Sequence, residues 1–191
     1  MIKCEWALSS KLEEKYHDEE WGVPVHDDRL LFEFLIIEGA QAGLSWSTIL
    51  NKREGYRKAF DNFNADKIAL YDQQKIEQLL NNPEIIRNKL KVNSAVTNAK
   101  AFLNIQKEYG SFEQYIWQFV DGESKLNHWQ QFKQIPATTE ESELMSKSLK
   151  KKGFKFVGPT ICYAYMQAVG MVNDHTVDCF RHKQIENMAS K

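Results

Sequence analysis

The chain lacks the marks of several protein classes. Three cysteines are an odd count, which argues against a disulfide framework, and nothing at the start reads as a secretory leader, so a cytoplasmic setting is expected. No uncharged apolar run approaches the roughly 20 residues that span a bilayer. The longest candidates are broken by Glu33, Glu38 or Asp174, and no membrane partner is expected. Charge of one sign is not in excess either. The formal net charge is -1, so any binding to nucleic acid must use a local patch. Internal repeats and low-complexity tracts are missing. What is present is 191 residues, 42% of them hydrophobic, which suits one globular domain over 1–191.

Two separated doublets of metal-ligand residues stand out: Cys4 with His17, and His175 with Cys179. Two thiolates and two neutral imidazoles are a donor set for tetrahedral zinc. His175 and Cys179 are four apart, as on one face of a helical turn, whereas the first doublet must fold back. Two packed cysteines and two hydrogen-bonded histidines remain the other reading. Cys162 lies in an apolar run and reads as core.

The periodicity is helical almost throughout, which predicts an all-α fold. From Asp28 onward the sequence is apolar nearly all round, as in a central buried helix. Further helices are expected at about 54–60, 65–70, 74–80 and 83–109, the last started by Pro83. Ser111 with Gln114, and Thr138 with Glu141, read as capping boxes. The polar stretch 121–137 reads as the longest loop.

Glu38 shares a helical face with Leu31, Phe34 and Leu35, and a buried carboxylate needs a partner, a raised pKa or a function. Gly39 and Gly43 flank Gln41 and break helix propensity, and Leu44 and Trp46 follow as an apolar protrusion. Trp6, Tyr16 and Trp21 add rings that can form either core or a slot for a flat heterocycle. Between Leu149 and Thr160 a helix ends at Gly153, and Gly158 with Pro159 starts another. The backbone amides of that turn, beside Lys151, Lys152 and Lys155, suit a phosphodiester. An ordinary helical corner with solvated lysines is the other reading.

Four motifs in order carry a family resemblance: YHDEEWGVP (16–24), EGAQAGLSWSTIL (38–50), KKGFKFVGPTICY (151–163) and NDHTVDC (173–179). Over about residues 4–179 the chain resembles the DNA-3-methyladenine glycosylase I family, of the helix-hairpin-helix superfamily. The resemblance implies one structural zinc on Cys4, His17, His175 and Cys179, in a lobe formed by about 1–25 and 171–185, with the helix-hairpin-helix at about 140–170. It implies hydrolysis of the N-glycosidic bond of 3-methyladenine, flipped out of double-stranded DNA by a monomeric enzyme. Glu38 would be the catalytic pocket residue, with Tyr16 and Trp46 against the base and Trp6 and Trp21 completing the wall. Gln41, Gly43 and Leu44 would fill the gap left by the flipped nucleotide. Lys152, Gly153, Lys155 and Gly158 would hold backbone phosphates.

The chain departs from the family at Glu13, where a tyrosine is usual, so one pocket ring is expected to be missing. Pro159 and Thr160 stand where bifunctional members of the superfamily carry a lysine, which implies a monofunctional enzyme. Asp174 lies near the position of the superfamily's aspartate, but beside His175, and is given no catalytic role. Two other classes are a zinc-stabilised helical DNA-binding protein without catalysis, for which a buried Glu38 has no use, and a hydrolase with an open zinc site.

Overall fold

Ten α-helices follow one another in the described residues, 1–189, of the computed structural model. They are α1 (Lys11–Glu19), α2 (Asp28–Gln41), α3 (Trp46–Ala59), α4 (Ala65–Ile68), α5 (Gln73–Asn81), α6 (Lys89–Tyr109), α7 (Phe112–Trp117), α8 (Glu140–Lys151), α9 (Pro159–Ala168) and α10 (Phe180–Ala189). The last two residues of the expected 1–191 domain lie outside the described part. None of the helices among the described residues is long and apolar enough to cross a membrane.

The apolar sequence of α2 has the expected consequence. Residues 31–40 are all buried, and the helix packs against α3, α6, α7 and α9. Asp27 caps it by accepting from the Leu30 amide at 2.8 Å. Asp28 accepts from the amides of Phe112 and Glu113 at 2.9 and 2.7 Å, so one carboxylate joins the start of α2 to that of α7. Gly39 does not break the helix. It is inside α2, and a Cβ there would meet Phe156 Cβ at 3.2 Å, so glycine permits close approach of the α8–α9 turn.

Several helix boundaries differ from expectation. Pro83 does not begin α6, because 82–88 is pinned to α3: Lys52 donates to the Pro83 carbonyl at 2.7 Å and the Ile86 amide to the Tyr56 hydroxyl at 3.3 Å. Asn88 is the cap instead, accepting from the Leu90 and Lys91 amides. α3 starts eight residues before the predicted Glu54, on a Ser45 cap that accepts from Thr48. At α8 the reciprocal cap is Thr139 with Ser142, one residue later than Thr138 with Glu141.

The fold is mostly helical rather than wholly so. Inside the predicted loop, β1 (Lys125–Leu126) pairs in parallel with β2 (Val172–Asn173), in the register Lys125 to Val172. This ladder ties the 121–137 segment to the C-terminal end of the fold. The N-terminal segment joins at the same end: the Phe180 amide donates to the Ile2 carbonyl, and the Gly22 and Val25 amides to Gln167 and Val169.

Candidate active site

α1, the end of α2, the start of α3 and one face of α9 enclose a pocket of ≈ 260 Å³. Trp6, Tyr16, Trp21, Glu38 and Trp46 line it together, so all five predicted pocket residues converge. The rings form a continuous wall: Trp6 meets Trp21 edge-on with centroids 5.1 Å apart, and Tyr16 lies 5.2 Å from Trp46. The indole nitrogens of Trp6 and Trp46 are buried and have no partner among the described residues. Gln41 also lines the pocket, at the C-terminal end of α2.

Glu38 is 3% exposed, and no described residue donates a hydrogen bond to its carboxylate. Burial pushes its pKa up to about 8, opposed only by the positive charge of Arg53. Arg53 is itself committed, donating to Glu33 at 2.8 Å and to Glu20 at 2.7 Å. Glu33, the other buried acid of α2, also receives Arg57 at 2.7 Å. Of two acids on one helix, Glu33 is thus neutralised by arginines and Glu38 left open to the pocket. Tyr16 is held well above the ordinary phenol range, by burial first and then by the Glu38 charge.

Three lining residues were not expected as contributors, Phe132, Ala164 and Gln167, and Glu13 lines the pocket as well. Glu13 stands where the resemblance led to a missing ring; it is nearly buried, with Ser10 Oγ donating to one of its oxygens at 3.1 Å. Ala164 and Gln167 are three apart on α9, and that spacing was the available signal. Gln167 Nε2 donates to Asp174 at 2.7 Å. Asp174 also receives Asn127, Trp129 and Tyr163 at 2.7, 2.7 and 2.6 Å. A buried carboxylate with four donors is a structural acceptor, not a free base. The 121–137 loop therefore supplies Asn127 and Trp129 as braces and Phe132 to the pocket wall.

Beyond the pocket mouth, Gly43 adopts φ +79° in a tight turn with open space around it, and Leu44 is 39% exposed. On the neighbouring turn between α8 and α9, Gly153 has φ +97° and Phe156 φ +56°, while Phe154 and Val157 are buried anchors. Gly158 caps α9 without a side-chain acceptor, so the first amides of that helix remain available. Lys155 is exposed, whereas Lys152 is paired with Glu108 at 2.6 Å.

Behind Trp21 and Tyr16, all four predicted ligands meet and are buried, with their ligand atoms within 4.8 Å of one another. His17 Nε2 lies 3.2 Å from His175 Nδ1 and 3.4 Å from Cys179 Sγ, and Cys4 Sγ lies 3.6 Å from His175 Nδ1. Tetrahedral zinc with bonds of about 2.0–2.3 Å spaces its ligands about 3.3–3.8 Å apart, so the cluster fits that ion. The outer nitrogens are already used: His17 Nδ1 faces Asp18 at 2.8 Å and His175 Nε2 faces the Trp21 carbonyl at 3.0 Å. Each histidine thereby turns a lone pair inward. Cys4 is pushed up and Cys179 down, chiefly by the hydrogen bond between them, as for two sulfurs sharing one proton. One geometric expectation fails: His175 and Cys179 lie in a turn before α10, not on a helix.

Residues 6–182 match the family model described as methyladenine glycosylase. The Escherichia coli DNA-3-methyladenine glycosylase 1 is 44% identical over 179 residues, 94% of this chain and 96% of that one. A crystal structure of a 3-methyladenine DNA glycosylase I superposes with a TM-score of 0.92 at 46% identity, covering 94% of this chain and 98% of that one. Another, of a variant in complex with 3-methyladenine, gives 0.91 at 34% identity, covering 94% and 97%.

Proposed function

The chain belongs to the methyladenine glycosylase family, and we propose that it is a monofunctional enzyme that hydrolyses the N-glycosidic bond of 3-methyladenine in alkylated DNA. The observation that carries this reading is Glu38: a buried carboxyl with no protein donor, walled by aromatic rings. Glu38 lines the pocket, so a ligand seated there can supply the missing donors.

Methylation at N3 gives the base in DNA a positive charge. Tyr16 and Trp46 offer ring faces, Trp6 and Trp21 close the wall, and Glu38 accepts from the adenine edge. When the bond from C1′ to the base nitrogen breaks, its electron pair stays with the base, which leaves neutral. Water adds its oxygen to C1′ and gives up a proton. The charged base is already a good leaving group, so little general-acid assistance is needed, and Pro159 and Thr160 stand where bifunctional members of the superfamily carry their nucleophilic lysine.

We read the substrate as double-stranded DNA in the cytoplasm, bound by one copy of the chain. Gln41, Gly43 and Leu44 fill the gap left by the flipped nucleotide, Leu44 as the apolar wedge. The α8–α9 turn acts as the hairpin of a helix-hairpin-helix, with Gly153, Gly158 and Lys155 on the phosphates. Lys152 joins them only by exchanging Glu108 for phosphate. One zinc held by Cys4, His17, His175 and Cys179 supplies a structural crosslink, since four protein ligands fill a tetrahedral site.

The test is base release from methylated duplex DNA by the intact protein and Glu38→Ala, with released bases identified by chromatography. Free 3-methyladenine from the intact protein, and at least about a hundredfold less from the variant, is expected. A folded, metal-loaded protein that releases no base would sink the reading; a variant as active as the parent would sink the role of Glu38.

A further inference from the structure

The wedge loop and the hairpin belong to different parts of the sequence, yet both are bonded to one face of α6. Lys91 Nζ donates to the Ala40 carbonyl at 2.8 Å and to the Ala42 carbonyl at 2.7 Å. Those acceptors lie at the C-terminal end of α2, where helix carbonyls lack partners and a cation is favoured. They immediately precede Gly43 and Leu44. Two turns along α6, Asn98 grips the hairpin from both sides: its Oδ1 accepts from the Lys155 amide at 2.8 Å and its Nδ2 donates to the Lys155 carbonyl at 3.0 Å. Asn98 is 3% exposed, so these bonds are shielded from water.

Lys91 and Asn98 are seven apart and share a helical face with Ser94. With Gly39, Ala40 and Phe156 they line one enclosed cavity of ≈ 10 Å³, so the end of α2, α6 and the hairpin meet around a single small space. Neither Lys91 nor Asn98 lines the base pocket. Their bonds end on backbone atoms of the two segments assigned above to DNA.

We propose that Lys91 and Asn98 are positioning residues that hold the wedge loop and the phosphate-binding hairpin at a fixed spacing, so that α6 sets the grip on the duplex without touching the base. This rests on the glycosylase reading. Phosphates on the hairpin fix where the duplex lies, and the wedge enters the stack only if its offset from the hairpin matches. Freed from Lys91, the chain on either side of Gln41 loses two anchors, while Tyr16, Trp21, Glu38 and Trp46 stay in place around the base.

The experiment pairs two binding measurements with base release. The probes are a duplex carrying a tetrahydrofuran abasic site and free 3-methyladenine, the latter followed by tryptophan fluorescence. Lys91→Met, which keeps the stem and loses the ammonium, is expected to bind the abasic duplex and turn over methylated duplex about ten- to a hundredfold less well. Its affinity for free 3-methyladenine should stay within about twofold, and Lys91→Arg should restore most of the loss. Asn98→Ala carries the same test from the hairpin side and stands in if Lys91→Met does not fold. Unchanged duplex affinity and turnover in a folded variant would overturn the proposal. So would equal loss of free-base and duplex affinity, which marks a general structural role. A wild-type protein that binds neither probe would overturn the underlying reading, and this one with it.

Discussion

At the scale of single residues, the two buried acids of α2 separate by environment. Glu33 is ion-paired with Arg53 and Arg57, whereas burial pushes the Glu38 carboxyl up from the ordinary 4.5 to about 8. The folded chain therefore holds a proton that the unfolded chain has lost anywhere between those values. The stability this contributes is fully present below about pH 4.5, declines as pH rises, and is gone above about pH 8. Glu38→Gln removes the titration. Its stability should match the parent's near pH 4.5 and exceed it near pH 8 by an increment on the order of a few kcal/mol, read as a higher melting temperature. Thermal melts of both proteins across that range decide it, and a difference that does not grow with pH would count against an open, buried carboxyl. Glu13 gives a second prediction. It adds a carboxylate to the pocket wall, so Glu13→Gln should weaken binding of a cationic N3-methylated, N9-alkylated adenine by about fivefold. Binding of a neutral 3-deaza isostere should hardly change. Paired titrations check this, and equal effects on both ligands would assign Glu13 a steric part only. Glu38 was legible in the sequence because helical period alone places it inward. Gln167 was not, since its access to the pocket depends on how α9 packs and on Asp174, which lies in a different segment.

At the scale of elements, caps decided boundaries more firmly than propensity did. A proline at 83 is a fair helix start by local rules, but Gly55 brings α3 so close that a Cβ there would collide with the Glu84 carbonyl oxygen. That packing holds 82–88 in a turn and transfers the start of α6 to Asn88. No local pattern discloses such a contact. The same holds for the Thr139 and Ser142 pair, whose serine is not part of the usual box motif; the glutamate expected there, Glu141, pairs with Lys125 instead. The hairpin, by contrast, was readable, because Gly153 and Gly158 with Pro159 bound it in sequence and their backbone roles are local. Asn88→Ala should remove two amide acceptors at the first turn of α6 and cost about 1 kcal/mol, seen as a melting temperature lower by about 2–4 °C. Lys91 is in that turn, so the variant should also lose affinity for the abasic duplex. An unchanged melting temperature would mean that tertiary packing alone sets the start of α6.

At the scale of the whole molecule, the two ends of the chain meet beside the pocket, and α6 joins the end of α2 to the α8–α9 turn. The ligand cluster shares residues' neighbours with the pocket: Tyr16 precedes His17, Trp6 lies two residues after Cys4, and the Trp21 carbonyl receives His175. A metal held there would be coupled to the aromatic wall, while the end of α2 and the α8–α9 turn are bonded to α6. The four-residue set was visible in the sequence as chemistry; that it would abut the pocket was not, because the approach of 171–179 to the N-terminal segment depends on long-range contacts such as that of Phe180 with Ile2. If the proposed zinc is bound, its removal with a chelator or by Cys179→Ala should lower the melting temperature by about 10 °C or more, because binding free energy at such a site is folding free energy. Affinity for free 3-methyladenine should fall with it, the reverse of the pattern expected for Lys91→Met. Metal analysis, thermal melts and free-base titration on one preparation check the prediction. Full metal content in Cys179→Ala would remove that residue from the ligand set. A stripped protein that kept its stability and its free-base affinity would separate the cluster from the pocket, and the crosslink between the chain's ends would then need no metal at all.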